Sequence, residues 1–296
     1  VEVYFLPLRR SGRKGKTGDF FNVQSSSRIT FPFLSYRCVL GASAVKNVFP
    51  AIMYPMPRIK DQAVCLRLLD WSETSQIVEM LTREHGKVRG LAKGSKRFAP
   101  SSIARFSGGI ELMTAGQLLA NSKANTELLN ITEWDLQQPW WHLRQNLRAW
   151  QLGMYAVDLT AQLLADHDPH PASFDALFDY LENSTQIQQL DSNLLSLQWK
   201  LLCDAGYQPQ LDEDVHSGKP LTDGATYQFD PLAGGLCNGS NSSTWGVRKQ
   251  TVMLLRALAA DALVETEGVD RANKLLCSYA RSILDKQLAT MAYVLG

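Results

Sequence analysis

The chain has 296 residues and a mass of 33.0 kDa, enough for two or three modules and at least one buried core. Hydrophobic residues make up 45% and charged residues 20%, which excludes an intrinsically disordered chain, and no apolar run is long enough for a membrane-spanning helix. The net charge of +1 would by itself exclude a strongly basic nucleic-acid binder, but the total hides an asymmetry. Residues 1–57 carry 8 Lys+Arg against 2 Asp+Glu, residues 58–125 carry 11 against 6, and residues 126–296 carry 11 against 21. A basic front half joined to an acidic back half points to a polyanionic partner for one end.

Residues 1–55 form a basic extension that the rest of the pattern does not explain. The stretch is rich in Arg and Ser, lacks a sustained period and has no apolar core of a secretory signal. The favoured expectation is a start set too far upstream, with Met53 or Met56 as the true one. A disordered basic arm and a transit peptide are the alternatives. Gly12 to Thr17 imitates a phosphate-binding loop, but the first Gly of that motif falls on Arg10.

From residue 61 the pattern becomes β-like. Ala63–Leu69, Ser75–Thr82, Lys87–Ala92, Ile110–Thr114 and Leu128–Glu133 read as five short strands, with Arg83-Glu84-His85-Gly86 as a hairpin connection. Five strands in so short a span predict an OB-fold barrel over residues 56–136, a fold that holds single strands with a basic groove and aromatic platforms. The cations stand where such a groove needs them. Lys87 and Arg89 are two apart on one strand, so they share a face. Lys93, Lys96, Arg97 and Phe98 occupy a following loop whose Gly94 and Ser95 would let backbone amides approach phosphates. Arg67 and Arg105 extend the set. Trp71 and Phe106 are weaker stacking candidates, because aromatics at strand ends are more often core.

The stretch Glu73-Thr74-Ser75, the aliphatic strand Ile77 to Leu81, Thr82-Arg83-Glu84-His85-Gly86-Lys87 and Gly90-Leu91-Ala92-Lys93-Gly94 resembles the N-terminal signature of the bacterial DNA repair protein RecO family. The resemblance places the family start near Met56 and runs through residues 58–296. It implies an N-terminal OB domain, a helical domain and, in many members, a small zinc-binding insertion. It further implies a mediator that binds single- and double-stranded DNA and anneals strands. The implied partners are RecR, the C-terminal tail of single-strand DNA-binding protein and, indirectly, the recombinase RecA. Such a protein would be cytoplasmic and associated with the nucleoid, away from any membrane.

Residues 137–296 carry helical spacing. Pro139–Ala165 reads as one helix, Ser173 as the cap of Phe174–Leu181, and Asn193–Ala205, Thr251–Ala262 and Asp270–Leu295 as three more. An acidic tail would need a local cation here, from among Arg144, Arg148, Lys200 and Arg256. Residues at about 208–245 follow the frame of the family's zinc insertion, but the four cysteine positions hold Asp214, Ser217, Cys237 and Ser240. One thiol of four does not make a structural zinc site, so a zinc-ribbon-like insertion that has lost its cysteines is expected, with no metal or cofactor.

No HExxH, GxSxG or GxGxxG motif is present, and the acids of the basic module (Asp70, Glu73, Glu79, Glu84, Glu111) are spread across strands rather than clustered for metals. The expectation is therefore an α+β, multi-domain, non-enzymatic DNA-binding protein. An OB-fold RNA-binding factor of translation or RNA metabolism is the alternative, because barrel and charge alone do not separate RNA from DNA.

Overall fold

The computed structural model describes residues 58–123, 126–262 and 267–296; the basic extension and its start site lie outside them. Five strands close a barrel: β1 (Arg58–Ser72), β2 (Ser75–Thr82), β3 (Gly86–Ala92), β4 (Ala115–Lys123) and β5 (Thr126–Gln138). Their order around the barrel is β1-β2-β3-β5-β4, with β3 and β5 parallel and the other neighbours antiparallel. This is the five-stranded barrel expected of an OB-fold. Alternation fills its interior with Ala63, Cys65, Val78, Met80, Val88, Leu118, Ile131 and Trp134. One end is plugged by a short helix, α1 (Pro100–Phe106), whose Phe106 is fully buried among them. Phe106 is thus core and takes no part in stacking on a partner.

Two strands differ from the sequence reading. The segment Ile110–Thr114 is not a strand; β4 begins where it ends, at Ala115. β4 has the sequence AGQLLANSK, in which small or polar residues flank the adjacent pair Leu118-Leu119, so its alternation is faint. It pairs through a close backbone approach, since a Cβ on Gly116 would stand 2.1 Å from the Asp135 carbonyl oxygen. β5 runs on to Gln138, past the boundary expected at residue 136.

The helical part comprises α2 (Trp141–Gln145), α3 (Leu147–Leu163), α4 (Pro171–Asn183), α5 (Leu190–Asp204), α6 (Lys249–Ala259), α7 (Val269–Leu284) and a final turn, α8 (Ala292–Leu295). The helix expected over Pro139–Ala165 is broken at Asn146, whose side-chain oxygen accepts the Ala149 N–H at 3.1 Å and starts α3 afresh. Ser173 is not the cap of α4. Pro171 begins that helix, and the Ser173 hydroxyl donates to Asp204 of α5 at 2.6 Å. The stretch expected to be helical to Leu295 ends first at Leu284, where Asp285 turns left-handed. Between α5 and α6 lies the insertion, a three-stranded sheet of β6 (Thr226–Asp230), β7 (Gly235–Cys237) and β8 (Trp245–Arg248) in the order β7-β6-β8.

Barrel and helices share a core. Val64, Leu66 and Leu81 on β1 and β2, with Met113 and Ala115, belong to the same buried cluster as Leu152, Tyr155, Ala156 and Leu159 of α3. Gly153 lets α3 sit this close, since a Cβ there would come within 2.7 Å of the Met113 sulfur. Polar links run along the joint. Arg67 pairs with Asp158, which also accepts from the Thr290 hydroxyl at 2.7 Å. Arg83 forms a bidentate pair with Asp175 at 2.8 and 2.9 Å. Lys87 donates to the Ala161 carbonyl at 2.5 Å and stands 3.1 Å from Asp166. The His167 N–H donates to the Lys87 carbonyl at 2.9 Å. Replacing Lys87 by Ala should cost roughly 1–3 kcal/mol, because the Ala161 carbonyl loses its donor and the Asp166 pair is only half shielded. Urea unfolding of the variant checks this, and its affinity for an oligonucleotide should stay within about twofold of the parent, a change of under half a kcal/mol.

Candidate nucleic-acid interface

The expected DNA-binding residues do not form one continuous surface. Lys87 and Arg89 do share the outward side of β3, but α3 and the segment after it cover the Lys87 end. Lys87 is only 6% exposed and already committed to the helical half, so it is removed from the candidate surface. Arg67 is likewise held by Asp158 in the joint. Arg89 remains exposed beside Glu79, with its Nε 2.7 Å from that carboxylate.

The loop after β3 is the part that projects. Phe98 is 90% exposed and Lys93 and Arg97 are exposed beside it. Neither of those two cations makes an ion pair among the described residues. Lys96 reaches back 2.9 Å to Asp70 at the end of β1, next to Trp71. Trp71 is 63% exposed, so it stands on the surface rather than in the core where its position suggested. Arg105 lies farther along. Its Nε–H donates to the Thr132 carbonyl at 3.0 Å and its guanidinium sits 5.0 Å from the Phe106 ring centre.

The amides of Gly94 to Arg97 in this loop are not available to phosphates. The Gly94 N–H donates to the Ser75 hydroxyl at 3.1 Å, Ser95 N–H to the Ala92 carbonyl, Lys96 N–H to the Thr74 carbonyl and Arg97 N–H to the Gly94 carbonyl. Ser95 adds a side-chain bond to Gln76 at 3.0 Å. Gly94, at φ +80°, makes this tight turn. The expectation of an amide cradle is therefore replaced by a different device. A pinned turn presents cationic side chains and two exposed aromatics, Trp71 and Phe98, a combination that can neutralise phosphates and stack bases.

Residues 56–140 match the family model for the N-terminal part of recombination protein O, and residues 144–290 match the model for its C-terminal part. The chain belongs to the RecO family. A DNA repair protein RecO from Anaeromyxobacter dehalogenans strain 2CP-C is 31% identical over 185 residues, covering 62% of this chain and 71% of that protein. The DNA repair protein RecO of Geobacter metallireducens is 28% identical over 246 residues, covering 81% of this chain and 98% of the relative.

The insertion of this RecO chain is tied by a carboxylate. Asp214 and Ser217 lie on one turn and Cys237 and Ser240 on the other, the four positions at which the resemblance would place cysteines. One Asp214 oxygen accepts the N–H groups of His216 and Ser217 at 2.9 and 3.0 Å; the other accepts the Asn238 N–H at 2.8 Å. The same side chain thus orders its own turn and joins it to the other. These three backbone N–H bonds lower the Asp214 carboxyl to about 2. Cys237 is buried and lies with its sulfur 3.1 Å from the Gly239 carbonyl, and burial pushes its thiol up. Two hydroxyls, a protonated thiol and a carboxylate saturated with amide donors do not fit a zinc ion. A parallel knot is made by Asp230, which accepts from the Leu232 and Ala233 N–H groups and stands 3.1 Å from His216.

A carboxyl whose pKa falls on folding stabilises the fold above its unfolded value and loses that contribution as pH drops toward the folded value. Asp214→Asn should therefore lower the melting temperature at pH 7. The difference from the parent should shrink between about pH 4 and pH 2. Melting curves of the two proteins across that range check it, and chelator should move neither.

Proposed function

We propose that this chain acts in DNA repair as a recombination mediator. It binds single- and double-stranded DNA and promotes annealing. With RecR, it helps to load the recombinase RecA onto DNA covered by single-strand binding protein. The observation that carries the reading is the pinned loop of the OB-type barrel, with Lys93, Arg97 and Phe98 projecting and Lys96 paired to Asp70 beside the exposed Trp71, in a chain of the RecO family. The aromatic rings give bases a place to stack, and the cations lower the repulsion between two phosphate backbones. The action is binding and strand pairing in the cytoplasm, at the nucleoid, with no covalent step and no cofactor.

The helical domain supplies the dock for the acidic tail of single-strand binding protein. Of the four cations considered for that role, Arg144 is held by Glu111 at 2.5 Å, Arg148 by Asp191 and Arg256 by Asp212. Lys200 on α5 is exposed, with no ion pair among the described residues, and lines a small hollow with Tyr180, Asn193 and Leu197. Lys200→Glu should weaken binding of a peptide carrying that acidic tail by about tenfold, the loss of one charge-assisted contact. Fluorescence anisotropy of a labelled tail peptide measures it.

The DNA reading is tested with Lys93→Glu, Lys96→Glu and Arg97→Glu combined. A strand held on the loop and neutralised there at three phosphates contributes a salt slope of about −2, and the triple variant should remove that contribution together with annealing. Unchanged affinity and slope would remove the loop from the interface. A preference for RNA with no annealing would favour the RNA-binding alternative.

A further inference from the structure

The half of the chain with the large acidic excess contains a cleft with no acid in its walls. It lies between β8 of the insertion and α7, and has a volume of about 420 Å³. Four cations line it: Arg248 from β8, and Arg271, Lys274 and Arg281 from α7. Trp245 and Leu275 give it apolar wall. Trp245 is fixed by stacking on Phe229, with ring centres 6.0 Å apart.

α7 explains why the cations collect there. Its Ala272, Leu276, Cys277, Tyr279 and Ala280 are buried, which turns Arg271, Lys274 and Arg281 to the side facing β8. From residue 271 to 281 the helix rises about 15 Å, so the row is longer than one carboxylate or one phosphate requires. Lys274 is partly neutralised by Asp270 at 3.1 Å. Arg248 and Arg281 make no ion pair among the described residues. Arg271 carries the second observation. One of its terminal nitrogens donates weakly to Gln250 at 3.3 Å, while its Nε–H is buried with no acceptor. Buried donors are ordinarily paired, so Arg271 stands in the cleft wall with hydrogen-bonding capacity that the protein does not use.

We propose that this cleft is a second nucleic-acid site, holding one single strand by its phosphates along α7 with a base against Trp245. It rests on the proposed DNA-binding role for the identity of its ligand and adds that one chain holds two strands at once, the first on the barrel loop. Three arginines favour this occupant, because a guanidinium pairs with phosphate in a fork and stacks on bases as well.

The full chain is titrated with two oligothymidylates of about 16 nucleotides, one carrying a donor dye and one an acceptor. These strands cannot pair with each other, so energy transfer at saturation reports two strands on one protein. Stoichiometry by analytical ultracentrifugation excludes protein dimers. Expected are two strands per chain and energy transfer. Arg248→Gln with Arg281→Gln should abolish the transfer and leave one strand bound, with the salt slope of about −2 that belongs to the loop. Trp245→Phe should weaken the second strand by about tenfold, the loss of part of one stacking contact. Melting curves establish that each variant is folded.

A single strand per parent chain, or unchanged transfer in the double variant, overturns the second site. If the triple variant of the barrel loop loses both strands, the cleft is no site while the loop reading stands. If it loses neither and the cleft variant loses its strand, the loop reading fails and the cleft stands. Oligoglutamate binding that the cleft variant alone loses, with strand binding untouched, would assign the cleft to an acidic protein and overturn the proposal.

Discussion

Where α3 packs on it, the outward side of the barrel strands β1 and β2 is not a surface. An isolated OB barrel would expose Val64, Leu66 and Leu81 to water; here α3 covers them, and the two halves share one apolar cluster. Each such side chain removed from water contributes on the order of 2 kcal/mol, so separating the halves would be costly. The rest follows from that joint. It decides which face of the barrel stays open, forces Gly153 where α3 meets the Met113 side chain and Gly86 where two backbones meet, and consumes Arg67, Arg83 and Lys87. A Cβ on Gly86 would stand 2.2 Å from the Asp168 carbonyl oxygen, and its φ of +69° is glycine-like as well.

The charge asymmetry therefore has two meanings. Part of the basic excess of the barrel faces acids of the helical half across the joint, through Arg67 and Asp158, Arg83 and Asp175, and Lys87 and Asp166. Only the remainder, centred on Lys93, Lys96 and Arg97, projects outward. The acidic half is equally uneven, since four of its cations, Arg248, Arg271, Lys274 and Arg281, gather between β8 and α7. Net charge by segment names the halves but not the surfaces, because pairing between halves is a tertiary fact.

Much of the architecture was legible because period-two patterning is strong in β1 to β3 and period-3.6 patterning is strong in α3, α5 and α7. The fourth strand was not, because Gly116 and Ala120 pack by smallness rather than by hydrophobic bulk. The plug helix α1 is too short for a period to register. Within the site, Arg97 and Phe98 were readable from a loop composition, whereas the burial of Lys87 was not. Strand alternation says which side a residue faces, never whether another domain covers that side. The sealed amides of the loop escaped for a related reason, since their acceptors, the Ser75 hydroxyl and the Thr74 carbonyl, come from the neighbouring hairpin. The α7 cations at 271, 274 and 281 went unremarked in the sequence, because nothing in a helical stretch marks them out until β8 stands opposite them.

The carboxylate that joins the two turns of the insertion has a chemical consequence beyond its geometry. Clustered thiolates that grip a metal are oxidisable, and oxidation of even one releases the ion and the fold with it. A carboxylate has no comparable oxidation ladder, and the one thiol left, Cys237, is buried and held in its protonated, unreactive form. An insertion tied in this way has no cluster of thiolates for peroxide to oxidise and no metal for a chelator to remove from its two turns.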